Sequence, residues 1–140
     1  MKNRARNTGL DSSRAVLLRF LTRAMADYCV ILITVPDAKT ADQISQTLVE
    51  RNLAACVNQV PKVKSTYWWD GKIEKSEEIL LLAKTRLVLT KDVAQVVKSL
   101  HPYTVCEVIA LPLVWGHPPY LDWVGANTIF SKPPGDERRR

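Results

Sequence analysis

A chain of 140 residues, 46% apolar and 24% charged, is long enough to bury one real core and too short for two ordinary domains. Its net charge of +6 sits at the ends: residues 1–23 carry +5 and residues 131–140 carry +2, which leaves about −1 for the 107 residues between. A near-neutral fold with basic ends is not the footprint of a nucleic-acid binder, and no run approaches the ~18 consecutive apolar residues of a transmembrane segment.

Residues 1–26 read as an appendage. The stretch Arg14 to Arg23, RAVLLRFLTR, is basic, free of acids and amphipathic if helical. That suits a mitochondrial-type targeting segment, or else a disordered extension; the sequence leaves location in the cytoplasm or the mitochondrion open. The folded domain is expected over residues 27–130, followed by a disordered basic tail from Ser131.

Tyr28 to Val35, YCVILITV, is a continuous apolar strand, expected to be buried on both faces and closed by Pro36. Asp37 or Thr40 can cap a helix running to about Arg51, with Ala41, Ile44, Ser45 and Leu48 as its inner stripe. Asn52 suits the left-handed position after it. Next comes a hairpin over Ala54 to Arg86. Val63 to Trp69 is rich in β-branched and aromatic residues, Asp70-Gly71 supplies a positive-φ turn, and Ile79 to Ala83 is an apolar run. Arms of roughly 15 residues at about 3.3 Å each reach about 50 Å, more than the diameter of a compact domain of about 110 residues. A bend at Pro61, at a bulge or edge, shortens the arms without removing the overhang. A neighbouring subunit is the simplest cover.

Thr90 is expected to cap a second helix, in which Val93, Val96, Val97 and Leu100 recur at i, i+3, i+4 and i+7. His101-Pro102 ends it. A fourth strand, Glu107 to Leu113, alternates poorly and is therefore expected to be buried, with Pro112 marking its end. Trp115 to Trp123 turns through prolines into a C-terminal helix from Tyr120 to about Asn127, and His117 falls in a solvated loop. The order is that of an α+β, ferredoxin-like βαββαβ fold with an extended β2–β3 hairpin and an added helix. It places two helices on one face of a four-stranded antiparallel sheet. The other face needs a cover, which points again to association.

Cys29, Cys56 and Cys106 are odd in number, widely spaced and without Cys-x-x-Cys. They make neither a disulfide framework nor a zinc site and are expected as buried thiols. There is no Gly-x-Ser-x-Gly, no His-Glu-x-x-His and no glycine-rich phosphate loop. An enzyme is not expected, nor a required cofactor. The aromatic residues read as core and interface packing, with Tyr67, Trp68, Trp69 and Trp123 given to a subunit contact; the alternative is that some of the aromatics line a small-molecule cleft between subunits.

Seven pieces in register carry a resemblance. They are Thr34-x-Pro36-Asp37, Leu53-Ala-Ala-Cys56-Val-Asn, Tyr67-x-Trp69-x-Gly71-Lys-Ile-Glu74, Lys84-Thr85, His101-Pro-Tyr103, Glu107-Val-Ile-Ala-Leu-Pro112 and Tyr120-Leu-x-Trp123. Together they resemble the CutA family of divalent-cation-tolerance proteins, over about Cys29 to Asn127. The resemblance implies a tight homotrimer in which the hairpins pair across subunit boundaries. It also implies a role in tolerance of or response to divalent cations, with copper(II) binding attributed to some members, and a link to acetylcholinesterase anchoring in animal relatives. The copper ligands attributed to the family are a Cys at the end of the first strand, a His just before His-Pro-Tyr and the Glu after it. Here Ile33 and Leu100 stand at the first two positions and Glu107 at the third, while Cys106 stands where many relatives have proline.

Copper(II) favours imidazole nitrogen and carboxylate oxygen, with thiolate a third choice. Glu107, His101 and Cys106 are accordingly the candidate metal ligands, since the end of the second helix and the start of the fourth strand could converge on one rim of the sheet. The structural alternatives are a His101 ring bonded to the last helical carbonyls and a Glu107 bonded to backbone N–H groups or paired with Lys84 or Arg86. The function expected is a homotrimer that sequesters or senses copper(II) or another divalent cation without catalysis. The alternative is a non-metal trimeric scaffold or signalling module that binds a small anion or a partner protein.

Overall fold

The computed structural model describes residues 12–17, which are helical, and residues 27–129. The rest of the expected appendage and the expected tail lie outside the described residues. A strand's two-residue period splits the first apolar run. β1 (Tyr28–Val35) turns Cys29, Ile31, Ile33 and Val35, all wholly buried, toward the helices. Tyr28, Val30, Leu32 and Thr34 stay half-buried on the opposite face. Burial on both faces was expected; within one chain both helices of the core pack on one side only.

Asp37 caps α1 (Ala38–Glu50) by accepting from the Thr40 N–H at 2.8 Å. That bond holds the Asp37 carboxyl below its ordinary range. Ala41, Ile44 and Leu48 are buried, with Ser45 half-buried beside them. The helix ends where Asn52 takes φ 55°, and Leu53 and Ala54 both donate back to the Leu48 carbonyl.

β2 (Cys56–Trp69) and β3 (Lys72–Arg86) form the hairpin. Asp70 at φ 50° and Gly71 at φ 74° make the type I′ geometry that matches strand twist. Pairing steps from Val60↔Leu80 to Val63↔Glu78 across a bulge at Pro61 and Lys62. β1 pairs only with Ile79 to Arg86 of β3. Lys72 to Glu78 and their β2 partners therefore run on as a two-stranded ribbon of about 23 Å.

A 3₁₀ turn, Leu87–Leu89, leads into α2 (Thr90–Leu100). The expected Thr90 cap is not formed: Leu89 takes the cap position without a side-chain bond, and the Thr90 hydroxyl donates backward to the Leu87 carbonyl at 2.7 Å. The 3₁₀ turn has already brought Leu89 into the core, so Thr90 is the first helical residue. Val93, Val96 and Val97 complete the buried layer against α1.

β4 (Val108–Pro112) pairs antiparallel with β1 and is shorter than expected at both ends. It is not buried either: Ile109 and Leu111, 48% and 51% exposed, lie on the face away from the helices. α3 (Pro118–Ala126) starts on two prolines and packs against the Tyr28–Arg86 end of the sheet. Arg86 Nη2 donates to the Gly125 carbonyl at 2.7 Å and Nε to Thr128 Oγ1 at 3.0 Å. A Cβ at Gly125 would lie 2.5 Å from the Tyr28 hydroxyl, so any larger residue would have to displace the end of that side chain. The sheet order β2-β3-β1-β4, with every pair antiparallel, is that of the ferredoxin-like α+β fold.

Candidate functional site

The ribbon rises beside the loop that joins α2 to β4, and the two enclose a cleft of about 850 Å³. Its lining includes Tyr67, Trp69 and Glu78 from the ribbon, Tyr103, Cys106 and Glu107 from the loop, and Thr34 from the end of β1. Strand register explains the ribbon's share. Tyr67 pairs with Glu74, Trp69 with Lys72 and Val63 with Glu78, and the two-residue period carries these positions on the same side as Thr34 and Leu80.

His101 caps the C-terminus of α2 and is 8% exposed. Its Nδ1 accepts the Tyr103 N–H at 3.1 Å, which makes Nε2 the protonated nitrogen that donates to the Thr34 carbonyl at 2.7 Å. The expected bond to the last helical carbonyls is replaced by one to β1, sixty-seven residues back. Both ring nitrogens are engaged within the chain, and a metal would have to displace one of these bonds. The ring packs at 4.8 Å from that of Tyr103, which fixes the start of the cleft loop.

Cys106 is half-buried and Glu107 exposed, and both line the cleft. Neither expected cation reaches Glu107: Lys84 Nζ donates to Asn58 Oδ1 and to the Leu82 carbonyl, and Arg86 serves α3. Ile33, at the first attributed ligand position, is wholly buried on the helix side, whereas its neighbour Thr34 lines the cleft. Among the described residues no group of three or more His, Cys, Asp or Glu side chains is placed to hold a metal ion. The residues of one chain therefore offer Glu107 and Cys106 but no complete set of ligands.

Sequence reasoning missed Glu78. It is 6% exposed, yet it lines the cleft, and among the described residues no protein donor or cation is bonded to its carboxylate. The signal was its place two residues before Leu80, on the face that Leu80 and Leu82 continue. Burial, and then the charge of Glu78, push the Tyr103 hydroxyl above its ordinary value.

The four aromatics assigned to a subunit contact divide between two ends of the molecule. Tyr67, Trp68 and Trp69 lie at the tip of the ribbon, where Trp68 is 72% exposed. Trp123 lies on α3, at the Arg86 end of β3, with its ring 5.7 Å from that of Tyr120. Burial, and then the neighbouring Cys56, raise the Tyr120 hydroxyl. No single chain brings all four together.

The family model described as CutA1 divalent ion tolerance protein matches residues 29–127. A Xenopus laevis protein named Protein CutA homolog is 45% identical over 117 residues, covering 80% of this chain and 78% of its own length. Mouse Protein CutA is 49% identical over 92 residues, 66% of this chain and 52% of its own, so the chain spans about half the length of that relative. The solved structure of a divalent cation tolerance protein from Thermus thermophilus superposes with a TM-score of 0.71 at 48% identity, covering 72% of this chain and 98% of its own. The family match runs through β1, the hairpin, the cleft loop and α3 together, and the chain belongs to the CutA1 divalent ion tolerance protein family.

Proposed function

We propose that this chain works as a homotrimer in the response to divalent metal ions, by binding and not by turnover. The observation that carries the metal reading is the presence of Glu107 and Cys106 in one cleft of a chain of this family. With His101 committed to Thr34 and Tyr103, carboxylate and thiolate are the donors left, so copper(II) is held weakly as cargo or signal. Calorimetric titration of the full chain with copper(II) tests this. Glu107→Gln is expected to lower the affinity at least tenfold while the assembly stays intact, and unchanged binding rejects the role of Glu107.

Two features support the homotrimer. The ribbon projects past the sheet with exposed tryptophans, and the face bearing Leu32, Leu82 and Ile109 is only partly covered. In a head-to-tail ring the ribbon of one copy meets the opposite end of the next, which joins Tyr67, Trp68 and Trp69 with the next copy's α3 and its Trp123.

A second reading is favoured by the engagement of both His101 nitrogens: a trimeric scaffold or signalling module whose clefts bind a small molecule or a partner protein. The cleft lining speaks against the small-anion form of this reading, since Glu78 and Glu107 line it and, among the described residues, no Lys or Arg does.

A further inference from the structure

We infer that the cleft is a binding site for a small organic cation, an alkylammonium or guanidinium group held by Glu78 among the rings of Tyr67, Trp69 and Tyr103, at the border of the subunit contact proposed above. The inference deepens the scaffold reading and rests on it, naming the class of ligand the cleft takes. Glu78 is the starting point. The residue as a whole is largely covered, while its carboxylate oxygens are not sealed from solvent and open on the cleft, and a carboxylate in so narrow an aqueous space is stabilised by a cation or several N–H donors. Among the described residues Glu78 has neither, and it borders the cleft. A cationic partner can reach it from the cleft side.

The rest of the lining has matching chemistry. Aromatic faces attract a cation through their quadrupole, most strongly where water is excluded, and Tyr67, Trp69 and Tyr103 all line this space, the first two on the cleft side of the ribbon by register. Glu107 adds a second negative charge at the more exposed side. A volume of about 850 Å³ is that of a small-molecule site with a few convergent polar groups. A divalent metal ion is a poorer fit to the same place, because aromatic rings supply no ligand atoms and, among the described residues, no three ligating side chains are grouped closely enough to hold one.

The test uses three probes of nearly equal shape, tetramethylammonium, tert-butanol and pivalate, titrated into the full chain by ligand-observed NMR. A chelator and constant ionic strength keep metal binding out of the readout, and native mass spectrometry records the assembly in the same buffer. Saturable tetramethylammonium binding at least tenfold tighter than tert-butanol, with none for pivalate, is the expected result. Glu78→Gln, which keeps shape and removes charge, is expected to abolish the tenfold preference. Equal binding of tert-butanol, or a Glu78→Gln variant that keeps the preference, overturns the cation assignment and leaves the cleft reading standing. Failure of all three probes in the assembled protein overturns both, and means that a neighbouring copy fills the cleft. Should Glu78→Gln fail to assemble, the discrimination shown by the unaltered chain decides alone.

Discussion

Trp69→Asp is expected to convert the proposed homotrimer into monomers or aggregates at micromolar concentration. In an isolated chain the change is nearly neutral, because Trp69 is 54% exposed at the tip of a two-stranded ribbon, and surface substitutions usually stay within about 0.5 kcal/mol. In the proposed ring the same position is covered, and a carboxylate placed there is buried without a partner, at a cost of several kcal/mol. The ring repeats that cost at three contacts. Since about 1.4 kcal/mol is a factor of ten in an equilibrium constant, even a modest cost per contact removes the trimer from the populated species. Light scattering on the eluting protein measures this, with Trp69→Phe as the control that keeps an apolar ring. A Trp69→Asp protein that stays trimeric and melts at an unchanged temperature would place the interface elsewhere.

Ile31→Ala is expected to cost about 4 kcal/mol, in the upper part of the range of about 2–5 kcal/mol for such truncations. The reason lies in its neighbours. Ile31 is wholly buried on β1, and its partners across the sheet are Ala83 on β3 and Ala110 on β4. Two methyl groups cannot move in to fill the space, so the cavity persists and the contacts to the helix layer are lost outright. Urea unfolding at a fixed chain concentration is the appropriate measurement, because dissociation and unfolding are linked in an oligomer. A loss below about 1.5 kcal/mol, well under the usual range for such a truncation, would mean that the helices do not close over β1 as described.

What could be read from the sequence follows from how local each signal is. β1, the Asp37 cap, the left-handed Asn52, the Asp70-Gly71 turn and the Pro61 bulge all rest on residues within a few positions of one another. The overhang was legible as well, because arm length and domain size are both countable. The Thr90 cap was misread because a 3₁₀ turn ahead of α2 had already started the winding. Burial of β1 and β4 was overestimated for another reason: apolar residues on both faces show that a strand is to be covered, and not whether its own chain supplies the cover.

The site was legible in part. Cys106 and Glu107 reach one cleft because they are adjacent on one loop. The fate of His101 depends on Thr34, on another strand, which no local spacing reveals. Glu78 reads in sequence as one more surface acid in Glu74-Lys-Ser-Glu-Glu78; only the register that sets it on the cleft side, opposite Val63, removes it from solvent. Charges on strands near a predicted overhang therefore need their register worked out before they are assigned to solvent.

Native mass spectrometry of the full chain, with and without one equivalent of copper(II) per chain, is the most direct test of a trimeric, ligand-binding member of this family. The account predicts three chains per particle in both conditions. It also predicts partial copper loading that rises with concentration and drops in Glu107→Gln. A monomer at micromolar concentration would contradict it, since the ribbon and the half-covered sheet face would then have no partner.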